Sequence, residues 1–168
     1  MVNVHSVNHT TYRRVTETFG NSLPVLPKES YICDAGCSWG CTTFELRDLY
    51  PNNKIIGFDI DPSNIRGNNL GLDLRCADMF DFFRETDLRF AGIFAMNNVW
   101  IGHNEGIVSD NQVKELFTDM KRRLVLGGAI AVSYVSFFKI YYPDSKIEYN
   151  SGHFNADNSS FTRLLVDS

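Results

Sequence analysis

Short apolar runs alternate along this chain with segments whose apolar residues fall at helical spacing. Tyr31 to Asp34, Ile55 to Phe58, Leu72 to Arg75, Phe90 to Met96 and Ala129 to Val135 read as five strands. Between them, Phe44, Leu46 and Leu49 mark a helix that ends before Pro51, and Asp61-Pro62-Ser63-Asn64 starts a short one that Gly67 and Gly71 interrupt. Phe80 to Phe83 suits a further turn of helix. Ser109 or Asp110 can cap a long one, with Val113, Leu116, Phe117, Met120 and Leu124 on one face. Regular alternation of strand and helix predicts an α/β fold: a doubly wound, Rossmann-like, mostly parallel sheet. The run Phe90 to Met96 is apolar almost throughout, as a central strand covered on both faces requires.

The flanks of this core are less regular. Residues 1–29 read as an N-terminal helical cap, starting near Thr10-Thr11, passing through Tyr12, Val15 and Phe19, and stopping at Gly20-Asn21. Residues 30–136 form the core, with Val125-Leu126-Gly127-Gly128 ending the long helix and turning into the fifth strand. In residues 137–168 the stretches Phe137 to Tyr142, Lys146 to Tyr149 and Phe161 to Val166 can be strands, and any helix after the fifth strand is short or absent. The result is one domain with a shortened C-terminal region.

Composition narrows the function class. A chain of 168 residues, 43% hydrophobic and 21% charged, can bury a core and is neither disordered nor membrane-like. A net charge of −4 without a basic run gives no sign of a nucleic-acid surface. The cluster Lys121-Arg122-Arg123 suits the end of a helix, where cations favour the dipole. No span of membrane length and no apolar leader is present, so a cytoplasmic location is expected. Cys33, Cys37 and Cys41 recur every fourth residue, but the run crosses strand, turn and helix, and no metal is expected. Cys33 reads as core and Cys37 as a small turn residue beside a ligand.

The chemistry concentrates in Ser30 to Asp61, which reads strand, glycine turn, helix, strand. Ligands of open α/β sheets sit outside the carboxyl ends of the strands, where a glycine turn admits backbone N–H groups. Gly36 and Gly40 are four apart and Asp34 precedes the turn. That spacing departs from the G-x-G-x-x-G of a dinucleotide site, and a carboxylate there repels a pyrophosphate but attracts an ammonium or sulfonium. Asp59, ending the second strand, suits a ribose diol.

Asp34, Gly36 and Gly40, with Ser38 at the middle position, resemble the (D/E)-x-G-x-G-x-G turn of class I S-adenosylmethionine-dependent methyltransferases. The phrase RRLVLGGAIAVSY resembles the turn that family carries before its fifth strand. The resemblance spans roughly residues 30–136. It implies S-adenosylmethionine as cofactor: Asp34, Ala35, Gly36, Cys37, Ser38 and Gly40 around the amino-acid end, Asp59 and Ile60 at the ribose, Asp78 and Met79 at the adenine, and Asn97 to Val99 beneath the sulfonium. The residue-level alternative for Asp78 is a cap for the following helix. Leading helices often cover the cleft in this family, which makes Tyr12, Arg13 and Arg14 lid candidates; the alternative is a helix packed plainly against the sheet.

The stretch after the fourth strand bears on the acceptor. Asn97-Asn98-Val99-Trp100 lacks both prolines of the (D/N)-P-P-(Y/F) phrase carried by amino-group methyltransferases acting on bases or amides. A weaker local resemblance, Gly36-Cys37-Ser38 and Asn98-Val99 with Ile101, is to chemotaxis receptor carboxyl methyltransferases; Asn97 and Gly102 replace that family's arginine and active-site tyrosine. Asn98 and His103 are the catalytic candidates, His103 because an imidazole accepts a proton near neutral pH. A histidine at this place also serves to hold the loop. The implied activity is methyl transfer to a small-molecule acceptor. The alternatives are a cofactor-binding domain without catalysis, serving as a regulatory partner, and a nicotinamide-dependent oxidoreductase, which the glycine spacing opposes.

Overall fold

The computed structural model describes residues 14–66, 71–96, 106–134, 137–144 and 147–151. A seven-stranded sheet forms from β1 (Tyr31–Ala35), β2 (Lys54–Asp59), β3 (Asp73–Cys76), β4 (Phe90–Met96), β5 (Leu124–Tyr134), β6 (Phe137–Tyr142) and β7 (Ile147–Ser151). Its order is β3-β2-β1-β4-β5-β6-β7. The first five run parallel, and β6 and β7 add an antiparallel meander at the β5 edge. Strand order reverses between β1 and β4, which opens the crevice that such sheets use for ligands.

Among the described residues five α-helices accompany the sheet: α1 (Arg14–Phe19), α2 (Cys41–Leu49), α3 (Pro62–Arg66), α4 (Met79–Glu85) and α5 (Asp110–Arg122). Alternate side chains of each central strand enter two separate cores, as the two-residue period of a strand requires. Cys33, Ile56, Phe58, Ile93 and Ile130 pack on one face with Phe83 of α4 and Val113, Leu116, Phe117 and Met120 of α5. Ile32, Phe94, Ala131 and Ile140 pack on the other with Val15 and Phe19 of α1 and Leu46 of α2. Helices on both faces make the sheet doubly wound, as the alternation of elements predicts.

The boundary between α5 and β5, and the buried face of α2, differ from the sequence reading. Leu124 does not extend α5; it opens β5 opposite Phe90, and the β4–β5 pairing then skips to Gly92 opposite Ala129. Residues 125–128 therefore bulge from the ladder, with Gly127 at φ +75° and Leu126 exposed. Arg123 serves α4 rather than its own helix, its Nε and Nη2 donating to Phe83 O and Arg84 O at 3.0 and 2.7 Å. On α2 the buried stripe is Thr42, Thr43, Glu45 and Leu46, while Phe44 lies half-buried under the Arg47 guanidinium. Only two residues separate β5 from β6, so no helix fits between them.

Candidate functional site

The turn after β1 is tied to the end of β2. The N–H groups of Gly36 and Cys37 both donate to Phe58 O, at 2.8 and 2.9 Å, and Gly40 N–H closes the turn on Cys37 O. Gly36 and Gly40 lie at φ +75° and +82°, a region that costs an L-residue roughly 1–2 kcal/mol. A Cβ on Gly40 would also stand 2.9 Å from Leu74 Cδ1. Ser38, in place of the usual middle glycine, takes φ +48°, and its N–H donates to Asp59 Oδ2 at 2.9 Å. Asp59 Oδ1 accepts from Asp61 N–H at 2.9 Å and Asn64 Nδ2 at 3.2 Å. Because each carboxylate oxygen accepts more than one bond, Asp59 retains capacity toward a ligand.

Asp34 lies under this turn rather than in it. It is 1% exposed, and the Thr43 hydroxyl donates to its Oδ2 at 2.6 Å. Burial pushes its carboxyl up to about 7, against the lowering effect of the Thr43 bond, with Asp59 raising it further. Cys33, Cys37 and Cys41 are free thiols pushed up chiefly by burial. Among the described residues no three His, Cys, Asp or Glu side chains converge as a metal site.

Two cavities meet at Gly36. One, about 160 Å³, is lined by Gly36, Phe58, Asp59, Ile60, Ala77, Asp78 and Met79. Its walls are apolar apart from the two carboxylates, and its floor rests on Phe58, which packs against Phe82 and Phe83 at 4.3 and 5.6 Å between ring centroids. The other, about 270 Å³, is lined by Arg14, Gly36, Cys37, Ser38, Trp39, Cys41, Thr42 and Met96. An elongated ligand with a planar apolar end and a polar end matches this pair of chambers in shape.

Of the residues expected here, Gly36, Asp59, Ile60, Asp78 and Met79 gather on the first cavity and Cys37 and Ser38 on the second. Asp34, Ala35 and Gly40 line neither. Asn97, Asn98, Val99, Trp100 and His103 lie outside the described residues, as do Tyr12, Arg13 and the stretch Phe161 to Val166. Asp78 does the work of a cap with one oxygen. Oδ1 accepts from Phe80 N–H at 2.8 Å and Asp81 N–H at 3.2 Å, and Oδ2 has no partner among the described residues.

One anchor is not legible in the sequence. Glu45 alternates with apolar residues as a solvent-facing acid does, yet it is 1% exposed. Its Oε2 accepts from Val15 N–H at 2.8 Å, and its Oε1 from Thr16 N–H and Thr16 Oγ1 at 2.9 and 2.8 Å. These bonds satisfy donors that the first turn of α1 leaves open. They also dock the helix so that Arg14 stands on the wall of the larger cavity.

This fold recurs in solved structures. Similar to it is the glycopeptide N-methyltransferase MtfA complexed with S-adenosyl-L-homocysteine, at TM-score 0.55 and 15% identity over 84% of this chain and 73% of that one. The fold is that of the class I S-adenosylmethionine-dependent methyltransferases. A TehB-like methyltransferase from Corynebacterium glutamicum matches this methyltransferase fold at TM-score 0.54 and 18% identity, over 83% of this chain and 64% of that one. Streptomyces venezuelae DesVI does so at TM-score 0.53 and 13% identity, over 83% and 76%. No family model and no curated protein matches the sequence.

Proposed function

We propose that this chain binds S-adenosylmethionine and transfers its methyl group to a small-molecule acceptor. The observation that carries the reading is the two-chambered cleft at the carboxyl ends of β1, β2 and β3, with the bare backbone of Gly36 at its waist. The residues fit the group. Asp59 offers acceptors to the ribose hydroxyls, Asp78 Oδ2 an acceptor to the exocyclic amine of adenine, and Ile60, Met79 and Phe58 apolar surface to the ring. Two neighbours in the methyltransferase fold are a sugar N-methyltransferase and a glycopeptide N-methyltransferase, which supports a small-molecule acceptor.

When bound, S-adenosylmethionine supplies an activated methyl on a sulfonium. The protein's part is to orient and to exclude water, and holding an acceptor in line is a large share of such catalysis. A base is needed only for an acceptor that must lose a proton, the role proposed for His103, and Asn98 is the other catalytic candidate. Incubation with methyl-labelled S-adenosylmethionine and a fractionated metabolite extract tests the reading: a labelled small molecule is expected. The absence of a helix between β5 and β6 favours a second reading, a cofactor-binding domain without catalysis. Under it the labelled donor binds and no product forms.

A further inference from the structure

We infer that the open edge of β3 is a self-association surface, on which β3 of a second copy of this chain pairs antiparallel across a two-fold axis. β3 ends the sheet and, among the described residues, pairs only with β2. Asp73, Arg75 and Cys76 are exposed, and Leu74 is half-buried. Just beyond the strand, Ala77 N–H donates to Asp59 O at 3.0 Å, toward β2. Amide direction alternates along a strand, so Asp73 and Arg75 share that direction and the N–H and C=O groups of Leu74 and Cys76 face the open edge. Leu74 N–H is held locally, by Leu72 O at 3.1 Å. An edge of this kind is a template for another strand.

The side chains select which strand. Asp73 and Arg75 lie opposite Ile56 and Phe58, so both emerge on the face of the sheet that α4 covers. They form a bidentate pair, Arg75 Nε donating to Asp73 Oδ1 at 3.1 Å and Nη2 to Oδ2 at 3.0 Å, with each side chain nearly half exposed. The edge thus carries one acid and one base two residues apart, a pattern that complements itself when reversed. A two-fold axis through Leu74 sets Asp73 of each copy across from Arg75 of the other and lets the two Leu74 residues exchange N–H···O=C bonds. A parallel copy in register would set like charges together. Leu74 turns its side chain to the opposite face and packs over Gly40 and Gly57, which fixes the strand in this register. Such a contact is isologous, so it closes as a dimer. Four residues a side make a small interface, and a dissociation constant on the order of 10–100 μM is expected.

Sedimentation equilibrium of the purified chain between about 1 and 500 μM brackets that constant. A reversible monomer–dimer equilibrium is expected, with the Leu74 and Cys76 amides exchanging more slowly at the high end. Arg75→Asp sets acid against acid across the axis and Asp73→Arg sets base against base; each is expected to raise the dissociation constant at least about 10-fold. The two substitutions together restore the complement and are expected to return it to near the wild-type value. A thermal melt checks that each variant folds, and recovery in the swapped pair separates lost complementarity from lost fold. A chain that stays monomeric throughout, an assembly larger than a dimer, a dimer that neither single variant weakens, or one that the swap does not restore overturns the inference. None of these outcomes depends on which cofactor the cleft holds.

Discussion

Asp34 joins the end of β1 to the first turn of α2 through Thr43, and its depth gives it a measurable signature. Its folded value of about 7 stands above the ordinary 3.8 because burial disfavours the charge. The folded protein therefore holds this proton more tightly than the unfolded chain between about pH 4 and pH 7. Stability from this group is full below that window and falls as pH rises through it, by at most about 1.4 kcal/mol per pH unit. Urea midpoints across the window are expected to show Asp34→Asn gaining on the wild-type protein as pH rises; a constant difference contradicts burial as the cause. Gly36→Ala, at φ +75°, is expected to lose roughly 1–2 kcal/mol by the same measurement. An acid before a glycine turn is legible in the sequence. Its depth is not, because that depends on a threonine nine residues later turning its hydroxyl inward.

Elements whose stability is local are the easiest to read. Ser109 caps α5 in a reciprocal arrangement, its N–H donating to Gln112 Oε1 at 3.0 Å and its Oγ accepting from Gln112 N–H at 3.4 Å. Ser109→Ala is expected to cost about 1 kcal/mol in urea unfolding and to leave donor affinity unchanged. The apolar face of α5 is legible for the same reason, since its period is written in consecutive turns. The face of α2 is not, because Glu45 is buried by a helix thirty residues upstream in the chain, whose open N–H groups make burial of a carboxylate tolerable. Glu45→Ala leaves those donors without their acceptor and is expected to cost about 1–3 kcal/mol, with loss of α1 protection in hydrogen exchange. The start of β5 is obscured by a related effect. Leu124 completes the α5 period, but the Phe90 backbone opposite it claims it as strand, Phe90 N–H donating to Arg123 O at 2.8 Å.

At the scale of the molecule, five parallel strands in the order β3-β2-β1-β4-β5 place the turn after β1 beside the acids after β2 and β3. The alternation of elements and the glycine spacing make this much legible. The division of the cleft into two chambers is not, since it arises where residues from α1, α2, α4, β2 and β4 meet around the turn after β1. No described helix is long and apolar enough to cross a membrane. The central claim is that the crevice holds an adenosine with an amino-acid tail, and the carboxylate of Asp59 is the group proposed to bind its ribose. Titration of S-adenosylhomocysteine into wild-type and Asp59→Asn protein tests this most directly. The account predicts one equivalent bound by the wild-type chain and affinity at least about 10-fold lower in the variant, from weakened ribose bonds. No heat with the wild-type chain, or equal affinity in the two proteins, contradicts it.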